Sequence, residues 1–243
     1  MKVCLTILLL FSLSLCFGQD LQTIDKKLSN LYKNIPDSYT DHQKEQKMEL
    51  FEKLLLKYTS QVPKTIAYPF KNLVKCDIYI STSEDGKFRI YSIDWNRYRS
   101  MPFFFNVYQF SCNGKVMSKE IPNGTSVMPD YTYYEVHSMI LNGKTYYIAQ
   151  LTAFGELTNP FYVKFFSIEN NKLNSDVKLI QTDQSIVNVL PCGAVDGLSS
   201  DTTKYVVKYD KPGQSFSIPL LEKGKITKKR ITYKFNGKYF VKV

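Results

Sequence analysis

The stretch Tyr134-Glu135-Val136-His137-Ser138-Met139-Ile140-Leu141-Asn142-Gly143-Lys144 decides the fold class. Its side chains follow a period of two, typical of a β-strand with one buried face, with Tyr134, Val136 and Ile140 alternating with Glu135, His137 and Met139. Asn142-Gly143 then predicts a tight hairpin turn, because both central residues of the favoured two-residue turn need positive φ. The stretch therefore predicts an antiparallel β-hairpin.

The same turn signal recurs along the chain. It occurs at Asp85-Gly86, Asn113-Gly114, Asn142-Gly143 and Asn170-Asn171, each followed by a lysine, with the second residues 28, 29 and 28 positions apart. It resumes at Lys223-Gly224 and Asn236-Gly237. Each interval can hold two strands, so we expect a mainly β fold, an antiparallel β-meander of roughly twelve strands. A barrel-like or strongly curled sheet fits this spacing best, with an irregular propeller as the alternative.

The chain before residue 67 shows helical spacing instead. Leucine and isoleucine recur every three or four residues from position 21 to 31, after Asp20, whose carboxylate is a possible N-cap. Thr40 and Gln43 predict a capping box for a second helix that ends before Pro63. We therefore expect an N-terminal α-helical hairpin at residues 19–66, packed on an antiparallel β domain at residues 67–243.

The first eighteen residues have the pattern of a signal peptide. Lys2 precedes an apolar run, residues 3–17, that is short for a membrane span, and Gly18 is a small residue at a plausible cleavage point. We expect residues 1–18 to be a signal peptide, Gln19 to begin the mature chain, and the protein to be exported to the periplasm or the exterior. Lipid attachment at Cys16 and an N-terminal core helix are the alternatives. No transmembrane span is expected in the mature chain.

Residues 81–95, Ser81-Thr82-Ser83-Glu84-Asp85-Gly86-Lys87-Phe88-Arg89-Ile90-Tyr91-Ser92-Ile93-Asp94-Trp95, carry a family resemblance. This segment resembles part of a group of uncharacterised exported bacterial proteins rich in β-structure. The resemblance covers these fifteen residues only. It implies export and a β-rich fold, and it implies no particular activity.

Composition limits the chemistry. The chain has 243 residues, of which 44% are hydrophobic and 22% charged, and this excludes a disordered or multi-span membrane protein. It contains two histidines and one tryptophan, and no glycine-rich phosphate loop, nucleophile elbow or zinc-protease motif. We therefore predict no catalytic residue and no cofactor. His137 is the one candidate base, and pairs such as Asp94 and Glu135 depend on distances that the sequence does not give.

Cleavage after Gly18 would leave three cysteines, Cys76, Cys112 and Cys192. Their wide and irregular spacing is not that of a disulfide framework. They are expected to serve as small apolar side chains, or one pair could bridge and leave a free thiol. The short paired spacing of structural zinc sites is absent, so we predict no metal site.

The segment Asp94-Trp95-Asn96-Arg97-Tyr98-Arg99 is the local cluster with the character of a binding site. It places the only tryptophan beside two guanidinium groups and a phenol, which stack on sugars or bases and bind anions. We predict ligand-binding roles for Trp95, Arg97, Tyr98 and Arg99. The alternative is a plain connection between strands with Trp95 turned into the core.

Basic charge is concentrated at the C-terminus. The whole chain carries a net charge of +10, and residues 222–243 hold eight basic residues against one acidic residue. The lysines interleave with apolar residues, which favours protection of an exposed strand edge. A partner that is an anionic envelope component or a glycan is compatible with this charge, and specific nucleic-acid binding is not expected.

These observations predict an exported, non-enzymatic binding or envelope-associated module. The alternative is a secreted hydrolase whose active-site residues are dispersed over strand ends. Two close carboxylates or a His-centred triad in a cleft would favour the hydrolase, whereas an aromatic groove without such groups would favour binding.

Overall fold

The computed structural model describes residues 20–35, 39–95, 103–121, 131–154, 158–196, 207–222 and 225–243. The predicted signal peptide at residues 1–18, Gln19 and the turn at Lys223-Gly224 lie outside these ranges. Strands account for 52% of the described residues and helices for 22%, in antiparallel sheets of which one is curled strongly into a half-barrel. The predicted mainly β fold with an N-terminal helix pair is confirmed.

Three α-helices and one 3₁₀ turn are described, and all of them precede the strands. They are α1 (Leu21–Lys33), α2 (Asp41–Gln61), the 3₁₀ turn Pro63–Ile66 and α3 (Lys71–Val74). The predicted capping box begins α2: the Gln43 N–H donates to Thr40 Oγ1 at 3.3 Å, and the Thr40 N–H donates to Gln43 Oε1 at 2.9 Å. Asp20 precedes α1, but its side chain makes no capping hydrogen bond, so that predicted cap is wrong.

Fifteen strands follow in three sheets. The strands are β1 (Tyr79–Thr82), β2 (Phe88–Asp94), β3 (Phe104–Cys112), β4 (Lys115–Glu120), β5 (Tyr131–Leu141), β6 (Lys144–Ala153), β7 (Thr158–Glu169), β8 (Lys172–Asn174), β9 (Ile180–Gln181), β10 (Ile186–Val187), β11 (Val189–Asp196), β12 (Lys208–Asp210), β13 (Ser215–Glu222), β14 (Lys225–Phe235) and β15 (Phe240–Lys242). The first sheet has the order β1-β2-β3-β4, the middle sheet β11-β7-β6-β5 with β8 on β7, and the third sheet β10-β9-β15-β14-β13-β12.

Three apolar cores hold these elements together as four layers. The helices pack on one face of the first sheet, through residues such as Phe51, Tyr91 and Val107. The other face of the first sheet packs on the middle sheet, where Phe88 and Phe166 are fully buried. The other face of the middle sheet packs on the third sheet. The middle sheet is therefore covered on both sides.

Three of the predicted tight turns form two-residue hairpins. At Asp85-Gly86 the two-residue turn is wrong, because only Gly86 has positive φ and the Ser83 N–H donates to the Phe88 carbonyl across a four-residue loop. Asn113-Gly114 and Asn142-Gly143 connect β3 to β4 and β5 to β6, with φ of 50° and 75° in the first turn and 49° and 76° in the second. Asn170 and Asn171 connect β7 to β8 with φ of 50° and 59°. Asparagine and glycine tolerate this backbone conformation, so the hairpins follow from local sequence.

The predicted alternation along β5 is wrong in its second half. Met139 is 1% exposed whereas Ile140 is 62% exposed, the reverse of the expected order. A β-bulge interrupts the register between Tyr133 and Glu135, and from Glu135 onward the pairing is regular. The order is reversed because the third sheet covers the face that carries Met139. A strand with both faces covered does not show simple alternation.

Buried hydrogen bonds tie the helices to the first sheet. The Gln109 amide on β3 donates to the Thr59 carbonyl and to Thr65 Oγ1, both at 2.7 Å, and accepts from the Tyr91 hydroxyl at 2.8 Å. The buried Arg89 guanidinium on β2 donates to the Thr65 carbonyl at 2.9 Å. Because the buried Gln109 and Arg89 side chains find their partners on the helical layer, these bonds fix the helix pair on the sheet.

Cys112 and Cys192 are free thiols in the structure, and the Cys76 thiol donates to the Asn72 carbonyl at 3.2 Å. Cys76 follows α3 and is buried, Cys192 is buried in β11, and Cys112 at the end of β3 is half-buried. Among the described residues, no helix is both long and apolar enough to cross a bilayer.

Candidate functional site

A cleft lies between β1 and β5, which are end strands of the first and middle sheets. Its volume is about 300 Å³. It is lined by Ile80, Ser81, Thr82, Glu84, Tyr134, Glu135, Val136 and His137. We call it the β1–β5 cleft.

Side chains of the first sheet cover most of the free edge of β5. The Tyr133 N–H donates to Ser92 Oγ at 3.0 Å, and the Asn106 amide donates to the Tyr131 carbonyl at 3.0 Å. Ser81 Oγ donates to the carbonyl of Tyr134, the bulge residue, at 2.6 Å. These bonds hold β5 across the first sheet and fix the bulge that places Tyr134 at the cleft.

The backbone N–H and carbonyl of Val136 are directed at the cleft. The N–H groups of Tyr133 and Ser138 point away from β6, since they bond Ser92 and Glu84. Alternation along an antiparallel strand gives the N–H and carbonyl of Val136 the same direction. Both groups are therefore directed at the open edge of β5.

A histidine between two carboxylates forms one end of the cleft. Glu84 Oε1 lies 2.6 Å from His137 Nδ1, and Glu135 Oε2 lies 3.5 Å from His137 Nε2. The second oxygen of Glu84 accepts from the Ser138 N–H at 2.7 Å. Glu84 thus bridges the turn between β1 and β2 to the edge of β5.

Glu84 and His137 stabilise each other's charged forms. The hydrogen bonds to Glu135 and Glu84 raise the pKa of His137 above its usual value of 6.5, although partial burial opposes this. Burial alone would raise the pKa of Glu84, but the Ser138 N–H and the His137 imidazole outweigh it and lower that pKa to about 2. Glu84 therefore remains a carboxylate at every physiological pH.

The turn that carries Glu84 is itself anchored. Asp85 Oδ1 accepts from Ser83 Oγ at 2.6 Å and from the Lys87 N–H at 3.0 Å, and the Tyr147 hydroxyl on β6 donates to Asp85 Oδ2 at 3.1 Å. Because these bonds hold the turn on the middle sheet, they also fix the backbone position of Glu84.

The third sheet closes the far side of the histidine. The Tyr209 ring on β12 lies 5.5 Å from the His137 ring, measured between centroids. Lys211 Nζ lies 3.5 Å from Ser138 Oγ. His137 is consequently at the junction of all three sheets.

Tyr134 lines the other end of the cleft, and further aromatic side chains pack behind it. The Tyr134 ring meets the Tyr79 ring edge to face at 5.2 Å, and Tyr79 meets Phe104 at 6.2 Å. Phe104 stacks on Phe154 at 5.3 Å. Tyr79 and Tyr134 are half-buried, so each keeps part of its ring accessible.

The residues predicted for binding lie on the neighbouring connection. The Trp95 side chain is half-buried and meets Phe105 edge to face at 5.4 Å, and the Trp95 backbone N–H donates to the Phe103 carbonyl at 2.6 Å. The Asp94 carboxylate accepts from the Phe103 N–H at 3.0 Å, so it anchors this connection. Arg97, Tyr98 and Arg99 lie outside the described residues. Their role, and that of Trp95, stays a prediction.

Sequence reasoning missed Glu84, Tyr79 and Tyr134 as site residues. Glu84 belongs to a predicted turn and lies 53 positions before His137, so only the fold brings the two together. The single available signal was His137, which the sequence shows as a candidate base.

The chemistry of the cleft suits binding more than nucleophilic attack. Both ring nitrogens of His137 already face carboxylates, and the Ser81 hydroxyl is committed to the backbone of β5. A catalytic triad needs its histidine to reach a nucleophile through one free nitrogen. Within the ranges the structure describes, no three acidic, histidine or cysteine side chains are grouped to hold a metal ion.

Neither a protein-family model nor a curated protein sequence matches this chain. The resemblance of residues 81–95 to exported β-rich bacterial proteins therefore stays an expectation.

Proposed function

We propose that this chain is an exported, non-enzymatic binding module that holds a neutral glycan in the β1–β5 cleft. Export is inferred from the charged start, short apolar run and Gly18 of the first eighteen residues. Binding is inferred from the cleft itself. The ligand class follows from what the two ends of the cleft offer.

The observation that carries the proposal is the position of Tyr134 beside two carboxylates. A sugar ring has an apolar face of C–H groups, which packs on an aromatic ring, and a rim of hydroxyl groups, which donate to carboxylates. Tyr134 supplies the ring, and Glu84 and Glu135 supply the acceptors. A volume of about 300 Å³ is at the lower end of small-molecule sites, enough for one or two sugar rings.

Charge disfavours an anionic ligand at this place. Glu84 is ionised, and the positive charge of a protonated His137 is already shared between Glu84 and Glu135. A second anion would have to approach both carboxylates, since the imidazole between them is already paired with each. An uncharged glycan meets no such repulsion.

The test is to measure the binding of neutral oligosaccharides, for example trimers of glucose and of N-acetylglucosamine, by calorimetry or NMR titration. Tyr134→Ala should weaken binding by about tenfold or more, since it removes a stacking face worth roughly 1–3 kcal/mol. Tyr239→Ala, a half-buried tyrosine on the β14–β15 turn, is the matched control and should bind normally. Saturable binding that Tyr134→Ala leaves unchanged would contradict the site, and no binding to any neutral oligosaccharide would contradict the ligand class.

A hydrolase is the second candidate, because two carboxylates flank one imidazole in the cleft. A glycosidase, however, needs one carboxyl group that stays protonated near neutral pH, and Glu84 has its pKa lowered to about 2. Incubation with the same oligosaccharides separates the two functions. Turnover abolished by Glu135→Gln would establish the hydrolase, whereas intact oligosaccharide recovered from the complex supports the binding module.

A further inference from the structure

The end of the β13–β14 hairpin extends beyond the other strands of the third sheet. β12 pairs only with Ser215–Ser217 of β13, and β15 pairs only with Tyr233–Phe235 of β14. Among the described residues, 218–222 and 225–231 therefore pair with each other and with no further strand. We call these two segments the basic arm.

Packing at the base holds the arm in place. Ile218 is 4% exposed and belongs to the core between the middle and third sheets, and Leu221 packs against that core. A Cβ built on Gly193 of β11 would lie 2.1 Å from Leu221 Cδ1, which shows how closely the two strands approach. The arm is thus part of the folded structure and not a loose tail.

A wide bulge directs lysines outward. Leu220 alone stands opposite three residues of β14, Thr227, Lys228 and Lys229. Thr227 Oγ1 donates to the Leu220 carbonyl at 2.7 Å and accepts from the Lys229 N–H at 3.2 Å, which fixes the bulge. Lys228 and Lys229 are exposed as a result.

The exposed surface of the arm combines positive charge with an apolar side chain. Lys225, Lys228 and Lys229 are exposed, and Glu222 is the only acidic residue in the arm. Ile226 follows Lys225 in the chain, pairs with Leu221 of β13 and is 43% exposed. Lysines around a protruding apolar residue are the composition that binds anionic lipid surfaces, where lysines meet phosphates and the apolar group enters the headgroup region.

We propose that the basic arm docks the protein on an anionic phospholipid bilayer, with Lys225, Lys228 and Lys229 against the phosphates and Ile226 in the headgroup layer. Charge complementarity is the reason for this partner. The interaction is independent of the glycan proposed for the β1–β5 cleft. Protection of the β14 edge by lysines, Pro219 and the bulge is the competing role of the same residues.

The experiment is co-sedimentation of the full mature chain with phosphatidylcholine vesicles and with mixed phosphatidylglycerol–phosphatidylcholine vesicles. The triple variant Lys225→Gln, Lys228→Gln, Lys229→Gln should lose about fivefold in partitioning per lysine, or roughly 100-fold in total. Ile226→Ser should weaken binding without any change in charge. The matched control is Lys53→Gln, Lys57→Gln, Lys64→Gln, which removes three exposed lysines from the helical layer.

Support for the proposal is binding to the mixed vesicles that falls with salt, is lost in the arm variant and persists in the control. Equal losses in both triple variants would mean that net charge alone attracts the protein, and would overturn the arm as a docking surface. An arm variant that binds vesicles normally but oligomerises in light scattering would assign these lysines to edge protection instead. Circular dichroism of each variant verifies that the fold is retained.

Discussion

Glu84 and His137, 53 positions apart in the chain, meet with 2.6 Å between Oε1 and Nδ1. Their contact joins the β1–β2 turn of the first sheet to the edge of the middle sheet. The hydrogen bond from the Ser138 N–H places Glu84 at this edge whether or not His137 is charged. Because both groups titrate, this contact makes the free energy of unfolding depend on pH.

Replacing His137 by glutamine should reduce the free energy of unfolding most between about pH 4.5 and 6.5. The pKa of His137 is raised from 6.5, so its contribution is complete below 6.5 and is lost as pH rises through the folded-state pKa. The pKa of Glu84 is lowered from 4.5 to about 2, so its contribution is lost as pH falls from 4.5 toward 2. Urea unfolding at a series of pH values measures the effect. His42→Gln, on α2, is the control, and equal pH profiles for the two variants would contradict the prediction.

Asp25 should be among the most costly polar residues to remove. Its buried carboxylate accepts from the N–H groups of Asn72 and Leu73, at 3.0 and 3.1 Å, and so caps the short helix α3 from α1. Asp25→Ala leaves these donors unsatisfied and should cost about 2–3 kcal/mol in urea unfolding. Asp20→Ala, whose carboxylate makes no cap bond, should cost about 0.5 kcal/mol or less. Similar losses in the free energy of unfolding for the two variants would show that the Asp25 cap does not stabilise the fold.

Gly193→Ala should destabilise the junction between the middle and third sheets. Gly193 has φ of 128°, and an added Cβ would meet Leu221 Cδ1 at 2.1 Å. Strain and overpacking together should lower the free energy of unfolding by about 2–4 kcal/mol. Gly86→Ala is the control, since Gly86 also has positive φ but has open space around it, and should cost about 1 kcal/mol. A Gly193 variant no worse than the Gly86 variant would mean that Leu221 moves aside freely.

The three cysteines should differ in reactivity. Cys112 is half-buried, whereas Cys76 and Cys192 are buried, and burial raises the pKa of the Cys192 thiol. Because the thiolate is the reactive form, native labelling with a maleimide should modify Cys112 long before the other two. Peptide mapping by mass spectrometry identifies the labelled residue. Recovery of a Cys112-containing disulfide from the native protein would contradict the free Cys112 thiol of the structure.

Local sequence was sufficient for the hairpins and for the start of α2. Asn142-Gly143 adopts positive φ because these residue types tolerate it, and Thr40 with Gln43 closes a capping box within four residues. Such features depend on neighbours along the chain, so a pattern of residues predicts them. The predicted cap at Asp20 is not formed, because the Asp20 side chain makes no hydrogen bond to the first turn of α1.

The β1–β5 cleft could not be predicted in the same way. Its charged group needs Glu84 and His137 to meet, and its aromatic end needs Tyr79 and Tyr134 to meet, across sequence separations of more than fifty residues. The bulge at Tyr134 is equally invisible in the residue pattern, since the Ser81 hydroxyl that bonds it comes from another sheet.

The sequence by itself determined the helix pair, the antiparallel strands and the tight turns, because backbone preferences and the period of apolar residues act over a few positions. Tertiary structure alone decided that the strands form three stacked sheets, since both faces of the middle sheet had to be covered by apolar partners from elsewhere in the chain. That stacking lays β5 across the first sheet and leaves Val136, Tyr134 and two carboxylates around one cleft. Contacts between distant segments follow from packing, and packing is a property of the whole chain.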